Sequence, residues 1–456
     1  MKMETNLTLD QEVLITIKSI GINGEGVGFY KRQAVFVDGV IPPEEVVVRI
    51  TKLKKGYAEA EPVRIKKRAF YRTRPFCKHY GVCGGCQLQH AEYEEQQRLK
   101  EAFLKQTFER FSGLDINKVT FNPFNPIVKP KHYFQTAVMP VMNTDEGIVT
   151  GLMKKDHSGL TEVLECPITD NRINAVNQQV LEICDEYEIH AFDASSMRGL
   201  LRHIVTRRSL STGEVQVTMV ITIFNHVLKE AAKKILDIPD VVSVAISKDR
   251  DAKSTATFGE TVEILAGKET IDEQLGDTRF RLSPKAYYQK NPQEAQNMYE
   301  YIATLFEPAK ETSLLDLYTG SGAMALYFAG YFKRITGIDR SRESIESAKA
   351  NRKLNNADHT EFIESDVAEA LKKIHGQGEK YDVVVFDPPR QGLSKAITDL
   401  LLKKPFKKLI YVSANPATLA KDIRRLTRKF RVISVMPFDM YPQTSHIESV
   451  TLLELK

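Results

Sequence analysis

The sequence predicts a multidomain α/β protein: an OB-like β-barrel at the N-terminus, an α+β middle, and a C-terminal doubly wound, Rossmann-like sheet. Three observations predict it. Apolar and polar residues alternate in short runs through residues 10–65. Strand and helix patterns alternate from Thr312 to the end of the chain. At 456 residues the chain exceeds one ordinary domain. The expected divisions are 1–68, 69–280 and 281–456.

The first division reads "EVLITIKSI", "GVGFYKRQAVFVDG", "EEVVVRITKLKKG" and "YAEAEPVRI", with Gly, Asn and Pro turns between the runs. Four or five short strands suit a small barrel of the type that binds oligonucleotides. Net charge is only +5, from 64 Lys+Arg against 59 Asp+Glu, so distribution says more than the sum. Between Arg49 and Arg74 ten cations face only Glu59 and Glu61, with Tyr57, Phe70 and Tyr71 interleaved. That mix suits phosphate contact and base stacking as well as an ordinary solvated face.

Residues 92–112 carry helical periodicity, with Leu99, Phe103, Phe108 and Phe111 near one face; this helix follows the middle domain's first loop but its face also suits the C-terminal domain. "FCKHYGVCGGCQLQH" spaces Cys77, Cys83 and Cys86 as C-x5-C-x2-C amid glycines. Thiols this dense are poor core and, in a reducing compartment, poor disulfide material. A soft metal or an iron–sulfur cluster holds such a set, and Cys166 before Pro167 is the fourth candidate ligand. The pattern leaves tetrahedral zinc and a 4Fe–4S cluster both open. Cys184, on an apolar helical face, is expected in the core. The first residues lack a secretory apolar stretch and no run is long enough to cross a bilayer, so the cytoplasm is the expected location.

"TSLLDLYTGSGAMALYFA" reads as strand, glycine turn and helix, with Gly320 and Gly322 allowing close approach of a ligand. Asp339 ends the next strand, where a carboxylate binds ribose hydroxyls. This much fits a dinucleotide as well as S-adenosylmethionine. Asp366, after a third strand, suits an adenine amine, and "YDVVVFDPPRQGL" sends Asp387 into the crevice on a loop stiffened by two prolines. That loop favours methyl transfer. Arg390, where enzymes of exocyclic amines carry an aromatic, argues against such a target.

With these motifs in order, the chain resembles the S-adenosylmethionine-dependent RNA (uracil-C5)-methyltransferases, and in particular their 23S ribosomal RNA branch, over essentially its whole length. The resemblance rests on the cysteine quartet, "GLLRHIVTR", "SPKAYYQKN", "LLDLYTGSG", "DPPRQGL", "YVSANPATLAKD" and "DMYPQTSHIESV". It implies a TRAM-type barrel, a class I methyltransferase domain, and a 4Fe–4S cluster on Cys77, Cys83, Cys86 and Cys166. Gln289, Tyr318, Asp339 and Asp387 match the cofactor-binding positions, and Glu448 matches the proton-abstracting base, with His446 close in sequence. The family's loop reads Ser-Cys-Asn-Pro and its cysteine is the nucleophile; here that position is Ala414.

A uracil C5 needs a thiolate on C6 to become a carbon nucleophile. The chain is therefore expected to bind cofactor and RNA without turnover. An active-site substitution made to hold a substrate complex explains Ala414 better than a natural pseudoenzyme, which would also have lost Glu448 or Asp387. Thr319, often cysteine in the family, and "KHYFQTAVMPV", without the usual Arg-Asn pair, are smaller departures. Transfer RNA is the alternative substrate, expected less because that branch typically lacks both barrel and cluster. A non-catalytic RNA-binding protein is the alternative class. No protein partner is implied, and a monomer is the default.

Overall fold

A computed structural model describes residues 7–124, 129–307 and 310–456. Five strands, Glu12–Ile20, Gly26–Tyr30, Gln33–Val37, Glu45–Lys54 and Tyr57–Lys67, close into a barrel. Alternation does the work: Val13, Ile15 and Ile17 face Val46, Val48 and Ile50 inside, while Glu12 and Leu14 face out. The third strand runs parallel to the fifth, Ala34 opposite Tyr57, and this pairing completes the closure.

The middle holds a seven-stranded sheet whose edges are Thr261–Gly267 and Leu160–Glu162. Helices Asn171–Glu186 and Val227–Leu236 cover one face with Val176, Val180, Leu228 and Ile235. Cys184 lies fully buried in that layer, as its apolar helix face predicts.

The C-terminal sheet has eight strands. Five are parallel: Thr360–Glu364, Arg334–Asp339, Ser313–Leu317, Val383–Phe386 and Lys408–Ser413. Ser313–Leu317, Val383–Phe386 and Lys408–Ser413 are buried along their whole length because both faces are covered, while the edge strand Thr360–Glu364 alternates. The hairpin of Phe430–Phe438 and Glu448–Leu455 then adds antiparallel to Lys408–Ser413. The chain builds outward from Ser313–Leu317 in one direction and returns to build on its other side. That reversal opens a crevice at the strands' carboxyl ends.

The expected block 69–280 is not one unit. The helix Tyr93–Phe111 sends Leu104 and Phe108 into the same core as Leu419, Ile423 and Leu426 of the C-terminal domain. The short strand Thr120–Phe121 then pairs with Phe430–Phe438 as the sheet's last strand. The hairpin Ile271–Leu275/Thr278–Leu282 likewise packs Phe280 and Leu282 beside Met298 and Tyr299. The middle sheet is thus flanked on both sides by pieces of the C-terminal domain. Among the described residues no helix is long and apolar enough to cross a membrane.

One buried ion pair fastens the helix. Lys100 Nζ lies 2.6 Å from Asp439 Oδ1, and neither side chain retains exposed surface. Lys100 also donates to the Tyr441 carbonyl, and the Tyr93 hydroxyl donates to Asp439 Oδ2 at 3.0 Å. Lys100→Met strands a buried carboxylate and is expected to cost about 3–5 kcal/mol in urea denaturation, whereas Lys100→Met/Asp439→Leu costs much less.

Candidate active site

A cavity of about 1030 Å³ occupies the crevice and extends to the four clustered cysteines. On the sheet side, the glycine turn forms its floor. Tyr318, Gly320 and Gly322 all adopt positive φ, at 65°, 55° and 81°. For Tyr318 this conformation is strained, and such strain concentrates at functional loops. The Gly320 N–H donates to Asp339 Oδ2 at 3.1 Å and the Ser341 N–H to Oδ1 at 2.8 Å, so the turn holds the carboxylate in place.

The two glycines serve different ends. A Cβ on Gly320 would meet nothing within 4 Å, because this position faces the open cavity. A Cβ on Gly322 would lie 2.7 Å from the Phe362 ring and 3.0 Å from Ala348 Cβ. Gly322→Ala therefore forces strand and helix apart in a conformation alanine avoids, and is expected to cost about 2–3 kcal/mol in denaturant titrations. Thr319 donates to the buried Asp316 at 2.5 Å. Burial, with Asp387 and Asp339 nearby, pushes the Asp316 carboxyl up to about 7. Threonine rather than cysteine at 319 thus supplies a hydroxyl to a buried acid.

Asp366 stands at the cavity edge, but its Oδ1 caps the helix Val367–Gln377 by accepting from Ala368 and Glu369 at 2.8 and 3.3 Å. Its other oxygen is the one left for a ligand. Gln289 is nearly buried and accepts from the Tyr287 hydroxyl at 3.4 Å. The segment ahead of it is anchored by Arg207 of "GLLRHIVTR", which donates to the carbonyls of Ser283 and Ala286 at 3.1 and 2.6 Å. Tyr287 went unremarked in the sequence. It is 60% exposed, yet that surface faces the cavity, beside Asp387 and Glu448.

At the far end, two loops are tied together. Asn415 Nδ2 and Thr418 Oγ1 both donate to the Arg390 carbonyl, at 3.0 and 3.1 Å. Asn415 Oδ1 caps the helix Pro416–Leu426, and its N–H donates to Ser413 Oγ at 3.2 Å. Asn415 and Pro416 thus shape the loop, and Ala414 is the residue it presents to the cavity, with Asp387, His446 and Glu448.

Burial pushes Glu448 up to about 7, with the Arg390 guanidinium opposing. Burial and the nearby Glu448 also raise Asp387 well above the carboxylate range. His446 moves the other way, down to about 4, through burial and the neighbouring cations Arg390 and Lys100. Its Nδ1 lies 3.2 Å from Arg390 Nη2, and a guanidinium only donates, so Nδ1 accepts and Nε2 carries the proton. His446 is therefore a neutral, weakly basic imidazole, and Glu448 is the better-matched base.

Cys77, Cys83, Cys86 and Cys166 all line the cavity and form no disulfide. Burial raises the first three thiols, Cys86 to about 12, and each of the three is near enough to Cys166 for its charge to matter. Among the described residues, no group of three or more His, Cys, Asp or Glu is arranged to hold a metal ion. The thiols are neighbours that do not close on a single point. Four free thiols along one cavity wall are soft donors by their chemistry.

The basic stretch is only partly available to a partner. Arg49 pairs with Glu12 and Glu61 at 3.0 and 3.2 Å, Lys52 with Glu59 at 3.3 Å, and Arg72 with the buried Glu44 at 2.5 Å. Tyr71 is 6% exposed and Tyr57 packs edge-on against Phe36, so neither is a stacking platform as expected. Phe70 is, at 89% exposed. Lys66, Lys67, Arg68 and Arg74 around it are exposed and form no ion pair among the described residues.

A parallel sheet with this glycine turn and this crevice defines an S-adenosylmethionine-dependent methyltransferase, here joined to an RNA-binding type of barrel. The comparisons agree. The family model described as tRNA (Uracil-5-)-methyltransferase matches residues 92–456, and the TRAM domain model matches 8–63. The chain belongs to the tRNA (uracil-5-)-methyltransferase family. The match begins at the helix that packs on the C-terminal domain. An uncharacterized RNA methyltransferase of Bacillus anthracis is 35% identical over 455 residues, 99% of each chain. One from Listeria monocytogenes is 34% identical over 451 residues, 98% of each. The crystal structure of Pyrococcus abyssi tRNA (uracil-54, C5)-methyltransferase with S-adenosyl-L-homocysteine superposes with TM-score 0.76 at 26% identity, covering 96% of this chain and 98% of that one.

Proposed function

We propose that this chain is a 23S ribosomal RNA (uracil-C5)-methyltransferase whose nucleophile position is occupied by Ala414, leaving cofactor and RNA binding in place. The observation that carries it is the presentation of position 414 to one cavity shared with Glu448, Asp387 and the glycine turn. S-adenosylmethionine supplies an electrophilic methyl on sulfur. Asp339 takes the ribose hydroxyls, the second oxygen of Asp366 the adenine amine, and Gln289, Tyr318, Gly320 and Asp387 the rest, while Gly322, expected to approach the ligand, packs the turn against Phe362 and Ala348 instead. Tyr287 offers its ring to the flipped uridine.

With a cysteine at 414, the thiolate adds to uracil C6 and the displaced electron pair builds up at C5. C5 takes the methyl as its bond to the cofactor's sulfur breaks, which leaves S-adenosylhomocysteine. Glu448 then removes the C5 proton, the C5–C6 double bond re-forms, and the C6–sulfur bond breaks to free the thiolate. An alanine methyl performs none of the first step. Cys77, Cys83, Cys86 and Cys166 would hold a 4Fe–4S cluster as a structural support for RNA binding. The reading places the protein in the cytoplasm, acting as a monomer.

Transfer RNA is the second reading, and a specific observation favours it: the archaeal enzyme that matches almost end to end acts on tRNA uracil-54. That full-length likeness removes the argument that an N-terminal extension disfavours tRNA. Methyl transfer to unmodified 23S ribosomal RNA and to tRNA, measured side by side with the Ala414→Cys form, tests both. Substituting Phe70→Ala is expected to weaken binding of a single-stranded RNA by about 1–3 kcal/mol in a filter-binding titration, and to leave S-adenosylhomocysteine binding unchanged.

A further inference from the structure

The hairpin that carries Glu448 has a long connection, 439–447, where hairpins usually turn in a few residues. Such a loop needs outside support: Lys100, Asn291 and Tyr133 hold the carbonyls of Tyr441, Met440 and Pro442, and residues 443–445 are held at a second junction. The Gln443 carbonyl accepts from the backbone N–H groups of Gln87 and Leu88 at 3.1 and 2.9 Å. Ser445 Oγ donates to the Ile22 carbonyl of the barrel at 2.9 Å.

Gln87 joins the pieces through its side chain. Its Nε2 donates to the Gly84 carbonyl, inside the cysteine loop, at 2.8 Å, and its Oε1 accepts from the Ser445 N–H at 3.3 Å. The two partners fix the amide's orientation, because a carbonyl only accepts and an N–H only donates. The Tyr80 hydroxyl holds the Gln87 backbone by donating to its carbonyl at 2.6 Å. The barrel closes over this bridge at Gly24, whose φ is 82°. A Cβ there would lie 2.7 Å from Gln87 Cβ and 3.2 Å from Ser445 Cβ. The Gln87 amide therefore joins the cysteine loop to the base loop, and the barrel packs against both residues of that bridge. The next residue after Ser445 is His446, and Glu448 follows two positions on.

We infer that Gln87 is a positioning residue, resting on the proposed function: it holds the 444–448 segment in register so that Glu448 reaches the C5 proton once RNA occupies the barrel and cysteine loop. Methyl transfer precedes the step that uses Glu448, so the two steps separate the role of Gln87 from general stability.

In the Ala414→Cys form, single-turnover reactions with RNA tritiated at uracil C5 would follow methyl incorporation, tritium release and the covalent protein–RNA adduct on denaturing gels. With Gln87→Ala, tritium release is expected to slow about tenfold while methyl incorporation changes little, so the adduct accumulates. Gln87→Glu keeps an acceptor for the Ser445 N–H but sets a carboxylate oxygen against the Gly84 carbonyl, and is expected to recover part of the loss. Equal slowing of both steps with a lowered Tm, or no recovery with glutamate, overturns the assignment.

A second measurement needs no turnover. In the chain as it stands, Gln87→Ala should speed amide exchange across 445–450 and leave 314–339 unchanged; unaltered exchange across 445–450 overturns the proposal. If Ala414→Cys labels no RNA, the proposed function fails, and the exchange result alone decides whether Gln87 holds this segment.

Discussion

Ala414→Cys is expected to switch on methylation, raising turnover by about ten-thousandfold or more over the alanine chain, as removal of a covalent nucleophile costs elsewhere. The gain rests on geometry already present. Residue 414 directly precedes Asn415, the cap of the helix Pro416–Leu426, and a thiol at a helix N-terminus is shifted toward the thiolate. The Asn415 and Thr418 bonds to the Arg390 carbonyl hold the loop whether or not 414 carries sulfur. Labelled methyl would be followed into 23S ribosomal RNA and tRNA. Labelling of ribosomal RNA by the cysteine form alone supports the proposed reading, and labelling of tRNA alone moves the substrate to the second. Labelling of neither leaves a non-catalytic RNA-binding protein as the better account.

Glu448→Gln in that cysteine form is expected to reduce turnover by about 10³-fold while methyl still reaches C5, so the methylated covalent adduct accumulates. The pH dependence follows from burial. Glu448 must be ionised to take the proton, and its carboxyl sits at about 7. Proton release should therefore rise with pH between about 6 and 8 and then level off. His446, neutral with its pKa near 4, adds nothing in that window. Stability runs the opposite way. The folded state binds this proton more tightly than the unfolded chain, whose value is 4.5. The stabilisation is full below that value and is lost as pH rises through about 7. Glu448→Gln should accordingly raise Tm at pH 8 relative to the parent, and the difference should shrink toward pH 5. A turnover defect with no trapped adduct would remove Glu448 from the proton-abstracting role.

Local patterns carried the architecture. Val13, Ile15 and Ile17 alternate because one face of their strand is buried, and Gly320 and Gly322 mark a turn whose backbone adopts positive φ. These are relations between near neighbours, and a sequence displays them directly. What was not legible was pairing across distance. The helix at 93–111 declares an apolar face but not the surface it meets, because its anchor Lys100 finds Asp439 339 residues later. The cations Arg49, Lys52 and Arg72 look alike with Lys66 and Arg74 in the sequence. Their carboxylates come from adjacent strands and from Glu44, which only the closed barrel brings near. Asp366 reads as a ligand contact in the sequence, whereas the structure shows what that reading omitted, a helix cap made through its Oδ1.

The pairing of Thr120–Phe121 with Phe430–Phe438 bears on how the molecule is made. A ribosome releases the edge strand and its helix early, and the surfaces they cover last. Until the C-terminal domain emerges, Phe108 and Phe121, which pack edge-to-face in the finished protein, have no core to enter. During that interval they are exposed apolar surface, the kind that attracts chaperones or aggregates. Contacts spanning so much chain also make closure slow. Translation speed late in the message, rather than the stability of the completed sheet, then becomes a control on yield. Truncations placed just before residue 430 should be far less soluble than their length suggests.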